Sequence, residues 1–273
     1  MHGTLRTTLL TGAIATFLGA GSLCAAPPAP LINPVGTQQG PAGDAQADQI
    51  LQQLDQIGHN LHEFSAKLKL TETDNALGDV KVRSGNVYFQ RKPDGSARIH
   101  VVFDLRIDEE RKRAYRERVE YLLDGPWLID RNYVTSNEVK RQVLKPGQKM
   151  DLFKLGEGPF PLPIGQDPKE VHKEFDVKSV APAKTDPPHT AHLQLVPHPG
   201  TSLARKFESI DVWVDQKTHM PVRVDTAEKQ TTRSTELKDI VVNPPGGLPE
   251  SDFKLPDIDP QKWNRSVESL PQE

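Results

Sequence analysis

Histidine pairs with three-residue spacing come closest, in this sequence, to the pattern of a metal site. His59 and His62 fall on a predicted helix, and His189 and His192 are three residues apart with His198 nearby. Zinc sites combine histidine with cysteine or carboxylate ligands at defined spacings. The pair at 189 and 192 has no cysteine partner at such a spacing and lies beside Pro187-Pro188. We therefore interpret these histidines as surface residues and expect neither a metal nor a cofactor.

Motifs for other chemistries are absent from the sequence. It contains no P-loop, dinucleotide fingerprint, nucleophile elbow or HExxH motif. A glycosidase needs two facing carboxylates, whereas Asp211 and Asp215 flank a predicted strand. The basic residues of 111–118 are interleaved with Asp108, Glu109, Glu110 and Glu117, and the net charge is −3, so no nucleic-acid partner is indicated. We predict that the protein is not an enzyme, and a hydrolase remains the third alternative.

Two apolar segments outside the strands are candidates for a lid. A helix begins with an N-cap at Asp44 or Asp48, and its apolar residues recur every three or four positions. Residues 150–165 are apolar, but their alternate prolines exclude a regular helix or an inner strand. The lid residues predicted from these two segments are Ile50, Leu54, Phe153, Phe160, Leu162 and Ile164. In the alternative interpretation both segments simply fill the core.

Beyond Phe64 the apolar period changes from 3.6 to 2, as in half-buried β-strands. About eleven such runs, among them 175–180 and 221–227, are separated by turn signals such as Asp94-Gly95 and Asp124-Gly125. They predict a mainly β protein with one strongly curved, unclosed antiparallel barrel, whose concave face the sheet alone cannot fill. Strand alternation gives the predicted lipid-binding cavity as Leu68, Leu70, Val87, Phe89, Val101, Phe103, Val119, Tyr121, Leu123, Trp127 and Ile129.

The N-terminal segment has the composition of an export signal. Residues 1–26 carry a charge-free apolar run of about 15 residues, shorter than the ~20 that span a bilayer, followed by small residues. We therefore predict a cleaved signal peptide and an exported, periplasmic protein. A lipid anchor on Cys24 is the alternative, but Gly21 and Leu23 do not fit a lipoprotein signal. The predicted segments are a signal peptide (1–26), a flexible leader (27–43), the half-barrel domain (44–257) and a polar tail (258–273).

Several stretches between residues 48 and 257 carry a family resemblance. In order they read DQILQQLDQIGHNLHEFSAKLKLTETD, SGNVYFQRKP, YLLDGPWLIDRNYVTSNEVKRQVL, GPFPLPIGQ, IDVWVDQKTHMPVRVDTAEKQTTRSTELKDIVVN and DFKLP. Together they resemble the LolA-type periplasmic lipoprotein carriers and their lipoprotein-sorting relatives. The resemblance implies an eleven-stranded unclosed barrel with helices as a lid, which takes up the acyl chains of lipoproteins. It also implies an inner-membrane transporter as donor and an outer-membrane receptor as acceptor.

The same resemblance implies a role for one arginine. The family has an arginine at the end of the second strand that bonds to the lid and holds it closed. Counted from Gly85, that position is Arg91, which the resemblance makes a lid residue. Here Lys92 separates Arg91 from Pro93, whereas the family has the arginine directly before the proline.

These observations predict a monomeric carrier that binds acyl chains of lipoproteins or other lipids and moves them across the periplasm. The alternative is an envelope sensor or protein-binding module of the same fold, such as the RseB kind, with a filled core.

Overall fold

The computed structural model describes residues 44–145, 148, 152–153 and 164–270. They form three α-helices, a 3₁₀ turn at Glu250–Phe253 and twelve strands. The helices are α1 (Ala45–Asn60), α2 (Pro168–Glu174) and α3 (Ser202–Lys206). The strands are β1 (Glu63–Asp74), β2 (Val80–Arg91), β3 (Ala97–Asp108), β4 (Arg113–Asp124), β5 (Trp127–Asn132), β6 (Asn137–Gln142), β7 (Phe175–Val180), β8 (Thr190–Pro197), β9 (Ser209–Asp215), β10 (Pro221–Ala227), β11 (Thr231–Val242) and β12 (Asn264–Glu268).

All twelve strands belong to one sheet in the order β12-β6-β5-β4-β3-β2-β1-β11-β10-β9-β8-β7. Neighbours are antiparallel except β12 and β6, which are parallel. Within the described part of the chain the edge strands β7 and β12 do not pair with each other, so the barrel is unclosed, as the alternation predicts. No helix in the described ranges has the length and apolar character needed to cross a bilayer.

Helix α1 is fixed to the sheet at its first turn. One carboxylate oxygen of Asp44 accepts hydrogen bonds from the backbone of Gln46 and Ala47, both at 3.1 Å. The other oxygen accepts from the backbone and the hydroxyl of Ser179 on β7, at 2.6 and 2.7 Å. The bonds from Ser179 are the main reason that the pKa of Asp44 is lowered. The N-cap therefore also sets the position of the helix on the concave side of the sheet.

The long hairpin strands bend at Gly85. The register between β2 and β3 shifts between Ser84 and Gly85, as in a β-bulge. A Cβ at Gly85 would lie 1.8 Å from the carbonyl oxygen of Val102, so the strands approach more closely than a side chain allows. Because bulges strengthen local twist and bending, this position contributes to the curvature of the sheet.

The twelfth strand comes from the segment predicted as a polar tail, 258–273. Every residue of β12 is exposed, and ion pairs tie it to β6. Arg141 Nε donates to Glu268 at 2.6 Å, and Arg265 Nε donates to Glu138 at 2.9 Å. Backbone pairing and charge hold this strand, which explains why apolar periodicity does not reveal it.

Candidate functional site

The concave side of the sheet beneath α1 is filled by an aromatic cluster. Phe64 and Phe89 stack with ring centroids 5.6 Å apart, and Phe153 lies 4.7 Å from Phe89. Each of these rings is at most 3% exposed. Ile50, Leu54 and Ile164, which were predicted as lid residues, belong to the same buried core. The protein's own side chains thus occupy this half of the hollow.

The two segments predicted to form a lid meet backbone to backbone at Gly58. Gly165 N donates to the carbonyl oxygen of Leu54 at 3.1 Å, and Arg91 Nη2 donates to that of Gly58 at 3.4 Å. A Cβ on Gly58 would lie 2.2 Å from Gly165 N, so the contact requires glycine. Gly58 is thus the point where α1 touches the segment around Gly165.

Gly58→Ala is expected to push Gly165 away from α1 and to lower the free energy of unfolding by about 1–3 kcal/mol, as overpacking does. Helix propensity acts in the opposite direction, since alanine favours a helix by ~1 kcal/mol over glycine. Urea unfolding measures the change, with Gln56→Ala at an exposed position of the same helix as the control. If Gly58→Ala is as stable as Gln56→Ala, the close contact is not present in solution.

An apolar cavity of about 320 Å³ lies on the concave side next to the aromatic cluster. Ligand sites for small molecules typically enclose ~300–1,000 Å³. The apolar lining comes from Leu68, Leu70, Ile99, Val101, Phe103, Tyr121, Leu123, Leu128 and Val224. A crevice of about 30 Å³ shares Leu68, Ile99 and Val224 with the cavity and reaches Phe64 and Phe153. The empty space therefore extends towards the aromatic cluster.

Charged residues enter the cavity lining from three adjacent strands. Glu72 and Arg233 are directly paired on β1 and β11, and Arg83 on β2 is paired with Leu70. Arg233 Nε donates to Glu72 at 2.9 Å. The cavity thus combines an apolar wall with a group of charges at one end.

Two titratable groups near this charged end are partly removed from water. Burial is the main cause that raises the pKa of the Tyr121 hydroxyl, and the charge of Asp130 adds to it. Burial also raises the pKa of Asp130, which is paired with Tyr121, although Arg141 and Arg83 oppose that shift. Both shifts have the direction expected for a surrounding of low polarity.

Most residues predicted from strand alternation come together on the concave side. The cavity wall includes Leu68, Leu70, Val101, Phe103, Tyr121 and Leu123. Val87 lines the smaller crevice, Phe89 belongs to the aromatic cluster, and Val119 is buried on β4 opposite Phe103. Among the predicted lid residues, Phe160 and Leu162 lie outside the described residues.

The predicted faces of β5 are reversed in the structure. Leu128 lines the cavity and is paired with Leu123, so Trp127 and Ile129 lie on the opposite face. The Lys140 ammonium lies 4.6 Å from the centre of the Trp127 ring. The cause is the two-residue turn after Asp124, which pairs Asp124 with Trp127 and so places both on the outer face.

Sequence reasoning missed the charged residues of the cavity. Glu72 and Arg83 lie on the strands that supply Leu70 and Val87, and Glu72 continues the alternation of Leu68 and Leu70. That alternation was the sequence signal that could have placed these charged residues in the cavity lining. A charged residue is nevertheless rarely expected to line an apolar hollow, since burial of an unpaired charge is unfavourable.

The histidines predicted as surface residues have local protein partners. His192 Nε2 lies 2.8 Å from Asp211, and its ring stacks on Trp213 at 4.2 Å, so His192 is largely buried and not a free surface residue. His59 Nδ1 lies 2.9 Å from the carbonyl oxygen of Asp55. In the described ranges, no group of three or more His, Cys, Asp or Glu side chains could hold a metal ion.

Comparison with known proteins returns similar solved structures, while no family model and no curated protein matches the sequence. A chain of the MucA/MucB complex of Pseudomonas aeruginosa is 13% identical with a TM-score of 0.44, and the match covers 77% of this chain and 61% of that one. An uncharacterized conserved protein from Thermus thermophilus is 11% identical with a TM-score of 0.44 and coverages of 82% and 99%. A LolA superfamily protein from Nitrosomonas europaea is 11% identical with a TM-score of 0.32 and coverages of 77% and 97%.

This chain spans less than two thirds of the matched chain in the MucA/MucB complex. At these identities and TM-scores, the similarities assign neither a ligand nor a function to this chain. The unclosed curved sheet with a helix on its concave side agrees with the architecture that the sequence resemblance implies.

Proposed function

We propose that this protein is a non-enzymatic carrier that binds acyl chains of lipoproteins or other lipids in its concave cavity and moves them across the periplasm. The observation that supports this most is the 320 Å³ apolar cavity beside the lid. Burial of one methylene group contributes ~0.8 kcal/mol, so ten methylenes would contribute about 8 kcal/mol before ordering costs. Binding of this kind needs few polar contacts, in keeping with the apolar wall.

Release of such a guest requires a competing state of the carrier. The aromatic cluster and α1 already fill the neighbouring half of the hollow. A shift of these groups towards the cavity would displace an acyl chain, because both compete for the same space. In this proposal an inner-membrane transporter supplies the cargo, an outer-membrane receptor accepts it, and residues 1–26 direct export.

Native mass spectrometry of protein purified without detergent tests the proposal. We expect mass adducts of lipid size that disappear when the same sample is denatured. An intact mass equal to that of the bare mature chain under native conditions would contradict the carrier function. The denatured spectrum also reports whether Cys24 is retained and acylated.

A second function, protein binding through the outer surface of a filled barrel, is favoured by one observation. Phe64, Phe89 and Phe153 already close half of the concave side with the protein's own side chains. For a module of that kind, native spectra without lipid adducts are expected. Binding of the protein partner should also stay unchanged when the cavity is filled by mutation.

We also propose that Arg91 holds the lid closed through its bond to Gly58. Arg91→Leu is expected to increase lid opening and to change lipid retention by more than it changes stability, because a single bond of 3.4 Å from an exposed arginine contributes less than about 1 kcal/mol. Hydrogen exchange of the α1 amides and retention of co-purified lipid measure the two effects. Unchanged exchange and unchanged retention in the variant would rule out this role.

A further inference from the structure

Arg83 is a cation whose hydrogen-bonding capacity is not met within the described part of the protein. It lines the cavity, and its Nε is buried without an acceptor among the described residues. Its Nη2 reaches Glu117 only at 3.4 Å. The side chain is 31% exposed, so water reaches part of the guanidinium, whereas the buried Nε–H is left without an acceptor, which is destabilising. This arrangement suits a group that receives its acceptor from a ligand.

The carboxylates around Arg83 are engaged by other arginines. Glu117 accepts a hydrogen bond from Arg106 Nε at 3.0 Å, shorter than its contact with Arg83. Glu72 accepts from Arg233 at 2.9 Å. The charges of Arg141 and Arg83 both oppose the burial-induced rise in the pKa of Asp130, and Arg141 does so more strongly. Arg83 is therefore the cavity-lining cation whose charge is least compensated.

Arg83 lies directly beside the apolar wall of the cavity. Arg83 is paired with Leu70 across β2 and β1, and Leu70 lies in the lining together with Val101 and Leu123. An acyl chain along these residues would bring its polar end to the guanidinium. A guanidinium fork matches the two oxygens of a carboxylate or phosphate, and such bonds are stronger than neutral ones.

We propose that the guest is an anionic amphiphile, whose carboxylate or phosphate binds Arg83 while its acyl chain occupies the cavity. This inference rests on the proposed lipid-binding function and adds the headgroup class to it. A free fatty acid and a lipid phosphate present the same chemistry to Arg83, so the experiment includes both.

The test compares probes that share one chain and differ in the headgroup. Dodecanoate, dodecyl phosphate and uncharged dodecan-1-ol are titrated, below micelle formation, into wild type, Arg83→Gln and Arg83→Lys. Arg116→Gln is the matched control, because Arg116 is exposed and lies on the outer face of β4. Thermal unfolding of each variant verifies that it is folded.

Arg83→Gln is expected to weaken binding of the anionic probes by about 10- to 100-fold, the range for a lost charge-assisted hydrogen bond. Binding of dodecan-1-ol should remain within about threefold of wild type, since its chain contacts are unchanged. Arg83→Lys should give an intermediate loss because it keeps the charge without the fork. The anionic probe that loses more affinity identifies the headgroup.

If Arg83→Gln loses affinity equally for all three probes, or loses none for any of them, the headgroup assignment is overturned. In that case dodecan-1-ol still binds to wild type and the carrier proposal stands. If no probe binds to wild type, the carrier proposal and the headgroup assignment both fail. An equal loss in Arg116→Gln would also overturn the assignment, because it would show a general effect of surface charge.

Discussion

Glu138→Ala is expected to lower the free energy of unfolding by about 3–5 kcal/mol, the usual cost of removing one partner of a buried ion pair. Glu138 on β6 accepts hydrogen bonds from Arg131 on β5 at 2.9 and 2.5 Å. The two side chains are only 7% and 6% exposed. Without Glu138 the guanidinium charge stays buried without its carboxylate, and Arg265 loses its bond between β12 and β6. Urea unfolding measures the loss.

The matched control for this variant is Glu268→Ala. Glu268 pairs with Arg141, but these side chains are 55% and 43% exposed, so the expected cost is only about 0–1 kcal/mol. Equal costs for the two variants would contradict the burial of the Arg131–Glu138 pair.

The effect of Glu138→Ala should also depend on pH. Burial alone would raise the pKa of Glu138, but the hydrogen bonds and charges of Arg131 and Arg265 outweigh it and lower the pKa. A lowered pKa in the folded state stabilises the protein above the unfolded pKa, and this contribution is lost as pH falls through the folded value. The difference in the free energy of unfolding between wild type and Glu138→Ala should therefore be greatest at neutral pH. It should shrink as the pH falls below the ordinary glutamate pKa.

Val101→Trp is expected to weaken binding of a fluorescent acyl probe by roughly 30- to 100-fold. Val101 lies at the centre of β3 in the cavity wall and is 5% exposed. An indole ring in the cavity displaces several acyl methylenes, and three of them are worth ~2.4 kcal/mol. Since the ring enters existing empty space, the loss of stability should be smaller than the loss of affinity.

The control for the cavity-filling variant is Val134→Trp, the same substitution at a position that is 64% exposed. Probe titrations and thermal unfolding of both variants separate loss of the site from loss of the fold. Wild-type affinity in a folded Val101→Trp protein would show that the acyl chain binds elsewhere.

Strand positions could be predicted from the sequence because alternation and turn residues are local signals. The runs 175–180 and 221–227 coincide with β7 and β10. Asp44 is the N-cap of α1, one of the two residues predicted for that place. The Asp94-Gly95 and Asp124-Gly125 turns close the hairpins β2–β3 and β4–β5.

The remaining features depend on information that alternation does not carry. The outward position of Trp127 follows from the length of the turn after Asp124, and a shift of one residue exchanges all faces of a strand. β12 has no buried side chain and is held by charges, so no apolar period marks it. Gly58 is required by a backbone contact with Gly165, over a hundred positions away in the chain.

Whether the hollow is open or filled could not be derived from the sequence either. Phe64, Phe89 and Phe153 fill the half beneath α1, while Leu70 and Val101 face empty space, although all five are ordinary apolar residues. The difference arises from how α1 lies across the sheet, and this depends on contacts such as that between Asp44 and Ser179.

Photocrosslinking with a fatty acid that carries a diazirine near the end of its chain tests the central claim most directly, because it reports where the chain lies. After irradiation and digestion, we expect adducts on the peptides that contain Leu70, Val101 and Leu123, and their suppression by excess unlabelled fatty acid. Adducts confined to outer-face peptides such as the one that contains Val134, or adducts that excess fatty acid does not suppress, would contradict an acyl-binding cavity on the concave side.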